Sequence, residues 1–532
     1  METPAPQLRD LLRDDVTHSA EPRPIDDLLK RAAKKAPNSL QAAAEELWDL
    51  IQWGQVELTP DGRIGKPQQT GSTKSQDDRS KLQRLRDERH HPEEQASGVR
   101  RTEGRIDRDR ILQSYAFRRL EGVTQIVTPD QSGHLMHSRL THSLKVGQVG
   151  RRIADELIQR KIDEDQIAQG GGLDPDVVEA AGLAHDIGHP PFGHAGEKVL
   201  DQWARNHKLP DGFEGNAQSL RVVTRQEARF SNTHGMNLTN ATKSAIIKYP
   251  WARDTRSKNR DSKKYKKFNA YADDLKTLKD SRKAVGLTNE EQTLEASIMD
   301  IADDITYALH DLEDFYTGGL FPRNHVVAVL DDYSRQFDLG DQDSEVPVTN
   351  QYLELDEYAR ESQFKRELFD QAVDRVRILV RYGMYRYFDG SRGAFALIRT
   401  AFATRIDAYI RDIYIPDTGP AVAKLSDDHW YEIQVLKWLT RKFIRDKSEL
   451  AITQLGQGRL MEETLNKLFE WCSDEATELK LPPALAELTK AKTDADRARG
   501  VVDYVASGTD AQLISLANSL RGAAPPSSLF FV

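Results

Sequence analysis

The chain has 532 residues, with 75 Lys and Arg against 84 Asp and Glu, a net charge of −9 and a pI of about 5.9. That length exceeds one ordinary domain, so a large unit with appendages, or two to three units, is expected. The acidic balance argues against a globally basic nucleic-acid binder and leaves room for local basic patches. The single cysteine, Cys472, permits no intrachain disulfide and suits a reducing compartment. No apolar run approaches the roughly 18 residues of a membrane span. The polar start "METPAPQLRDLLRDD" has no signal-peptide core. A cytoplasmic protein is expected.

Residues 1–23 are charged and Pro-bearing and read as a mobile tail. Residues 24–66 read as a small appended unit. "SLQAAAEELWDLIQWG" has helical apolar spacing between Ser39 as N-cap and Gly54 as stop. "QVELTPDGRIG" then alternates around Pro-Asp-Gly, a hairpin signal. Helix followed by hairpin fits a winged-helix-like element that touches DNA. The preferred reading is a packing appendage, because the recognition helix would be acidic and apolar. Residues 67–82 are poor in apolar side chains and read as a linker. Residues 83–330 form the expected catalytic core, and residues 331–532 a helical region that completes the pocket and makes oligomer contacts.

Within the core, "RDRILQSYAFRRLEGV" and "THSLKVGQVGRRIADELIQRKI" have amphipathic helical spacing, with a short hairpin expected between them at "TQIVTPDQSGHLMHSR". A helix is expected over residues 174–188, capped by Asp174 ahead of Pro175, and a long one over 293–316. Residues 252–292 carry Lys258, Arg260, Lys263, Lys264, Lys266 and Lys267, with Tyr265 and Phe268 between the charges. This run is either a solvated surface or a contact for polyphosphate or single-stranded nucleic acid. The fold class expected is all-α.

The most informative run is "LAHDIGHPPFGHAGE", residues 183–197. The adjacent His185 and Asp186 offer an imidazole nitrogen and a carboxylate oxygen to one divalent cation. Two further donors stand in suitable contexts, His142 in "SRLTHSLKV" and Asp303 in "IMDIADDITY". Mixed imidazole and carboxylate donors suit Mn²⁺, Fe²⁺, Zn²⁺ or hydrated Mg²⁺ better than a closed structural zinc site. Register separates Asp303 from Asp304. Asp303, Tyr307 and Asp311 follow one another at intervals of four, on one helical face. At about 1.5 Å per residue, Asp303 and Asp311 are about 12 Å apart along the axis. Asp304 points elsewhere and is expected at the surface or behind the site. His194 and Glu197 are spaced to meet on one helix, where the carboxylate fixes the imidazole tautomer.

The order His…His-Asp…Asp resembles the ligand pattern of the HD phosphohydrolase superfamily. Six blocks narrow the likeness: "SYAFRRLEGVTQIV", "SRLTHSLKVGQVGR", "LAHDIGHPPFGHAGE", "FEGNAQSLRVVTR", "IIKYPW" and "IMDIADDITYALHDLEDFY". Together they resemble the deoxyguanosine triphosphate triphosphohydrolase family, densely over about residues 100–320. The resemblance implies a metal held by His142, His185, Asp186 and Asp303, with Mn²⁺ or Mg²⁺ first and Fe²⁺, Zn²⁺ or Co²⁺ as alternatives. It implies His194 as acid/base with Glu197 as its orienter, and His189 as a phosphate contact or proton donor. It places Tyr307 against the deoxyribose, Asp311 on the 3′-hydroxyl, and Gln125 on the 3′-hydroxyl or base edge. Arg139, Lys248 and Tyr249 are implied at the polyphosphate, where the planar fork of Arg139 matches phosphate oxygens. Asn216 stands close to a position where some relatives carry a further His. Arg118 and Arg119 are open between ligand and structural roles.

The activity so implied is metal-dependent hydrolysis of a deoxynucleoside triphosphate, dGTP first, to deoxynucleoside and tripolyphosphate. A homo-oligomer, including a hexamer, and a nucleotide or single-stranded DNA effector accompany it by resemblance. Two rivals stand beside it: another HD nucleotidase or phosphodiesterase, and a nucleic-acid-binding regulatory protein.

Overall fold

A computed structural model describes residues 12–13, 15–16, 19, 22–35, 47, 50, 56–58, 63–66, 81–93, 101–125, 138–230, 233–257, 259–338, 365–384, 388–445, 448–474, 480–490 and 493–523. Among them the chain is helical apart from three short strands, which is the expected all-α class. The N-terminal unit contains β1 (Arg23–Pro24), α1 (Ile25–Lys35), β2 (Glu57–Leu58) and β3 (Arg63–Gly65). Strand β3 is central and pairs antiparallel with both others. Leu28, Ala32, Val56 and Ile64 share an apolar cluster with Leu47, Leu50, Leu12 and Val16. Leu12 and Val16 therefore pack with this unit rather than lying in a tail. Apolar side chains four apart fall on one helical face and bury together. Most of the helix expected over 39–54, with Ser39 and Gly54, lies outside the described residues. So do most of the 67–82 linker, the hairpin expected before Ser138, Lys258 and residues 524–532.

The site is carried by α2 (Glu103–Gln113), α3 (Arg139–Gln159), α4 (Pro175–Ala184), α5 (Gly193–Asn206), α6 (Gly215–Arg221) and α7 (Leu294–Thr317). Their starts follow from local chemistry. The side chains of Ser138, Asp174 and Thr293 accept from the amides of Thr141, Asp176 and Ala296, the usual satisfaction of orphan helix-start donors. Helices α3 and α4 touch backbone to backbone: a Cβ on Gly182 would lie 2.7 Å from Gly147 Cα. Helix α7 packs across both through Ile298, Ala302 and Ile305 against Val146, Val149 and Val178. The amphipathic run after α2 is broken at Ser114, which caps a separate turn, Tyr115–Arg118.

Four later helices complete the body: α8 (Arg366–Ile378), α9 (Arg392–Asp412), α10 (Asp427–Thr440) and α11 (Ser448–Ser473), followed by α12 (Asp494–Ala506) and α13 (Asp510–Leu520). Val376, Ile398, Phe402 and Leu436 extend the core of α7. Met461, Leu465, Val501 and Leu513 pack on Leu200 and Trp203 of α5. Each such fully buried side chain contributes roughly 1.5–3 kcal/mol, so the C-terminal helices hold α5 in place. No described helix is long and apolar enough to cross a membrane.

Candidate metal centre and active site

His185 and Asp186 stand just past the end of α4, not inside a helix running to residue 188 as the sequence implied. Pro190 and Pro191 cannot continue a helix. Gly188 packs so tightly that an added Cβ would lie 2.1 Å from Ser219 N and 2.4 Å from Gly215 O. The turn's backbone groups are met by side chains. Ser219 Oγ donates to His185 O at 2.8 Å and accepts from Gly188 N at 3.0 Å. Arg119 Nη2 donates to Ile187 O at 2.6 Å and His189 O at 2.8 Å, and Nη1 to Gly508 O at 3.1 Å. Arg119 is thus structural, and through backbone carbonyls rather than an ion pair. Burial lowers its pKa to about 10. Asp510 accepts from Phe192 N at 2.8 Å, which ties α13 to the start of α5.

Around this turn, donor atoms of His142, His185 and Asp303 lie within 4.8 Å of one another. Asp303 Oδ1 is 3.2 Å from His142 Nε2 and 3.7 Å from His185 Nε2. His185 Nδ1 donates to Gly182 O at 2.7 Å, while its Nε2 is buried with no hydrogen-bond partner. An imidazole whose one N–H is held by a carbonyl presents its other nitrogen to a metal; here that nitrogen faces a carboxylate donor 3.7 Å away, so these residues fit a divalent cation. Asp186 is the outer member of the predicted set. Its Oδ1 lies 3.5 Å from His185 Nε2 and 3.0 Å from His189 Nδ1, and its Oδ2 takes Arg139 Nη1 at 2.5 Å.

Charge at the centre is balanced by cations. Burial would raise the Asp186 carboxyl, but His185, His189 and Arg139 hold it well below the usual range. Burial likewise opposes the Asp303 carboxylate, and Lys248 with the two imidazoles outweighs it. Lys248 Nζ lies 2.5 Å from Asp300 Oδ1 and 3.0 Å from Asp303 Oδ2. Burial, with Arg139 adding to it and Asp186 opposing, pushes the His189 imidazole down to about 4.

One cavity of about 670 Å³ collects most of the predicted residues. Gln125, Arg139, His142, His185, Asp186, His189, His194, Lys248, Tyr249, Asp303 and Tyr307 all line it. His194 Nδ1 is 2.9 Å from Glu197 Oε2, as their spacing on α5 predicts. Among the described residues, Gln125 Oε1 is buried without a hydrogen-bond partner. Asn216 lines the cavity with its amide nitrogen bound to Glu214 Oε1 at 2.9 Å. Asp311, expected on the 3′-hydroxyl, is 4 % exposed and is not among the residues that line the cavity; among the described residues its Oδ2 is buried with no hydrogen-bond partner. Burial, with Asp314 and Asp303 nearby, raises its pKa well above the carboxylate range. Helical register puts it in line with Asp303 and Tyr307, but one turn deeper it sinks into the packed interior. Asp304 pairs with Lys437, away from the imidazoles.

Two contributions escaped the sequence reading, and a third, the wall expected from the C-terminal region, had no residues named. The far wall comes from α11, through Leu450, Gln454, Gln457, Arg459 and Glu462. No local motif marks this stretch, which lies far along the chain. Lys198, on α5, also lines the cavity. Lys267, read as one of a surface run, turns inward to Glu214 and Glu197. Its flanking Phe268 was the available signal, since an apolar neighbour anchors that end of the run.

Comparison with known proteins agrees with this geometry. Residues 139–308 match the HD domain, and residues 423–519 the phosphohydrolase-associated domain. The chain is 33 % identical over 427 residues to a deoxyguanosinetriphosphate triphosphohydrolase-like protein of Corynebacterium efficiens, covering 78 % of this chain and 90 % of the relative. It is 34 % identical over 447 residues to the protein so named in Streptomyces coelicolor, covering 79 % and 93 %. A Mesorhizobium japonicum protein, deoxyguanosinetriphosphate triphosphohydrolase-like protein 2, is 40 % identical over 232 residues, 41 % of this chain and 46 % of its own.

Proposed function

The chain belongs to the deoxyguanosinetriphosphate triphosphohydrolase-like family of HD-domain proteins, and from that premise we propose that it hydrolyses a deoxynucleoside triphosphate, dGTP first, to deoxynucleoside and tripolyphosphate. The observation that carries this reading is one cavity in which the His142–His185–Asp303 donor group, the His194 imidazole and the cations Arg139 and Lys248 meet. Its volume falls in the range of small-ligand sites.

Water attacks the α-phosphorus, and the bond from that phosphorus to the 5′-oxygen breaks. His194 serves the leaving 5′-oxygen as general acid. Its Nδ1 is engaged by Glu197, so Nε2 is the nitrogen that delivers the proton. A divalent ion held by His142, His185, Asp186 and Asp303, with Mn²⁺ or Mg²⁺ as first choice, would polarise phosphate oxygens and lower the pKa of bound water. Arg139, Lys248 and Tyr249 take the polyphosphate, and His189 supports the α-phosphate side. Tyr307 lies against the deoxyribose, and Gln125 brings its unpartnered oxygen to the sugar or base edge. The same reading carries a homo-oligomer and an activating nucleotide or single-stranded DNA.

The test is incubation with Mn²⁺ and each deoxynucleoside triphosphate, alone and in mixtures, beside Asp303→Ala. Deoxynucleoside from the wild type alone supports the reading, and the substrate order tests dGTP. A nucleoside monophosphate or diphosphate as the organic product would instead mark another HD hydrolase.

A further inference from the structure

Lys267 differs from its neighbours. Lys263, Lys264 and Lys266 are exposed, whereas the chain at Lys267 is pinned. Its carbonyl accepts from Trp251 Nε1 at 2.7 Å, Phe268 is fully buried, and Asn269 Nδ2 donates to Asn216 O at 3.1 Å. From this anchor the ammonium lies between two carboxylates, 2.9 Å from Glu214 Oε1 and 3.5 Å from Glu197 Oε1. Neither carboxylate is free to move. Glu214 caps α6, accepting from Asn216 N at 2.6 Å and Ala217 N at 3.2 Å. Glu197 accepts from Gly215 N at 3.1 Å through Oε1 and meets His194 through Oε2.

We propose that Lys267 is a positioning residue: its ammonium holds Glu197 against the start of α6, and through Glu197 it sets the orientation of the His194 imidazole. This rests on the reading of His194 as the acid. The groups facing Glu197 are His194, His189, Lys267 and Glu214. Burial alone would raise the Glu197 carboxyl, and Lys267 leads the charges that hold it well below its usual range. His194 is 55 % exposed, and its ring is held by Glu197 together with the edge-on ring of His189 at 5.5 Å.

Two other roles fit less well. Lys267 lines the cavity and could serve as a polyphosphate contact. An anion there would compete with the two carboxylates already on the ammonium, as it would at Lys248, and the KM readout below separates this role from positioning. His189, His194 and Glu197 could also hold a second metal, but the Lys267 ammonium already supplies the cation beside Glu197.

The experiment compares Lys267→Met, Lys267→Arg and the paired Lys267→Met/Glu214→Gln, which removes the buried carboxylate along with its partner. Two readouts are taken: kcat and KM against pH, and the His194 ring signals in histidine-labelled protein by NMR. The NMR readout stands even if the substrate assignment fails. Lys267→Met should lower kcat about 10- to 100-fold, the usual loss for an outer partner of a working histidine, with KM within about twofold. The acid limb of kcat should move to higher pH, because Glu197 protonates more readily without the ammonium. Lys267→Arg should recover most of the loss. The paired variant should fold and keep the defect, with altered His194 signals. A raised KM with an unmoved acid limb would assign Lys267 to the polyphosphate instead. Unchanged His194 signals in folded Lys267→Met or the paired variant would overturn the proposal outright.

Discussion

His185 Nδ1 donates to the carbonyl of Gly182 at 2.7 Å. That bond fixes the tautomer and turns Nε2 toward Asp303, so the helix that carries the histidine also decides which nitrogen meets a cation. A divalent ion should therefore raise the thermal midpoint of the wild type, and should fail to do so for Asp303→Ala and His185→Ala. At 100-fold excess over Kd, the gain is about 2.7 kcal/mol. Thermal scans against metal concentration read it directly, and chelation should abolish hydrolysis until metal is returned.

The pair on α5 makes a separate prediction. His194→Ala should lower kcat by about 10²- to 10⁴-fold, the span of general acid–base catalysis. Metal affinity should hold, because neither His194 nor Glu197 belongs to the His142–His185–Asp303 group. Glu197→Gln should fall in the same direction with a smaller loss. Steady-state kinetics beside metal titration separates the two effects.

Backbone packing sets the stability of the His-Asp turn. Gly188→Ala places a Cβ within 2.5 Å of backbone atoms at Ser219, Gly215 and Gln218, and backbone cannot swing aside. A loss of roughly 2–4 kcal/mol is expected, at or above the upper end for overpacking. Gly456→Ala is the control. Among the described residues nothing lies within 4 Å of its added Cβ and it sits inside α11, so a gain of about 0.5–1 kcal/mol is expected. Urea denaturation measures both.

Arg119→Met should cost about 2–4 kcal/mol, since it strips buried carbonyls at Ile187, His189 and Gly508 of their donor. Activity at low temperature should fall together with protection of the turn in hydrogen exchange.

Much of this centre could be read in the sequence because its geometry is local. Asp174 before Pro175 and the three-residue step from His194 to Glu197 each act within one or two helical turns. What was missed is nonlocal. The stop at Ala184 depends on Gly188 meeting α6. The inward turn of Lys267 depends on Trp251 and Phe268. The wall from α11 depends on Leu200 and Trp203 of α5 receiving Met461 and Leu465.

Tyr307 lines the cavity one helical turn from Asp303. If it lies against the sugar, Tyr307→Ala should raise kcat/KM for a ribonucleotide relative to its deoxy counterpart by about tenfold or more, since the space for a 2′-hydroxyl opens. Paired assays on both sugars test this.

The central claim is the bond that breaks. Hydrolysis in ¹⁸O-labelled water, followed by ³¹P NMR, reads it in one experiment. The account predicts tripolyphosphate carrying the label on a terminal phosphorus, with unlabelled deoxynucleoside. Pyrophosphate with a monophosphate, or orthophosphate with a diphosphate, would contradict it, as would label in the 5′-hydroxyl of the deoxynucleoside.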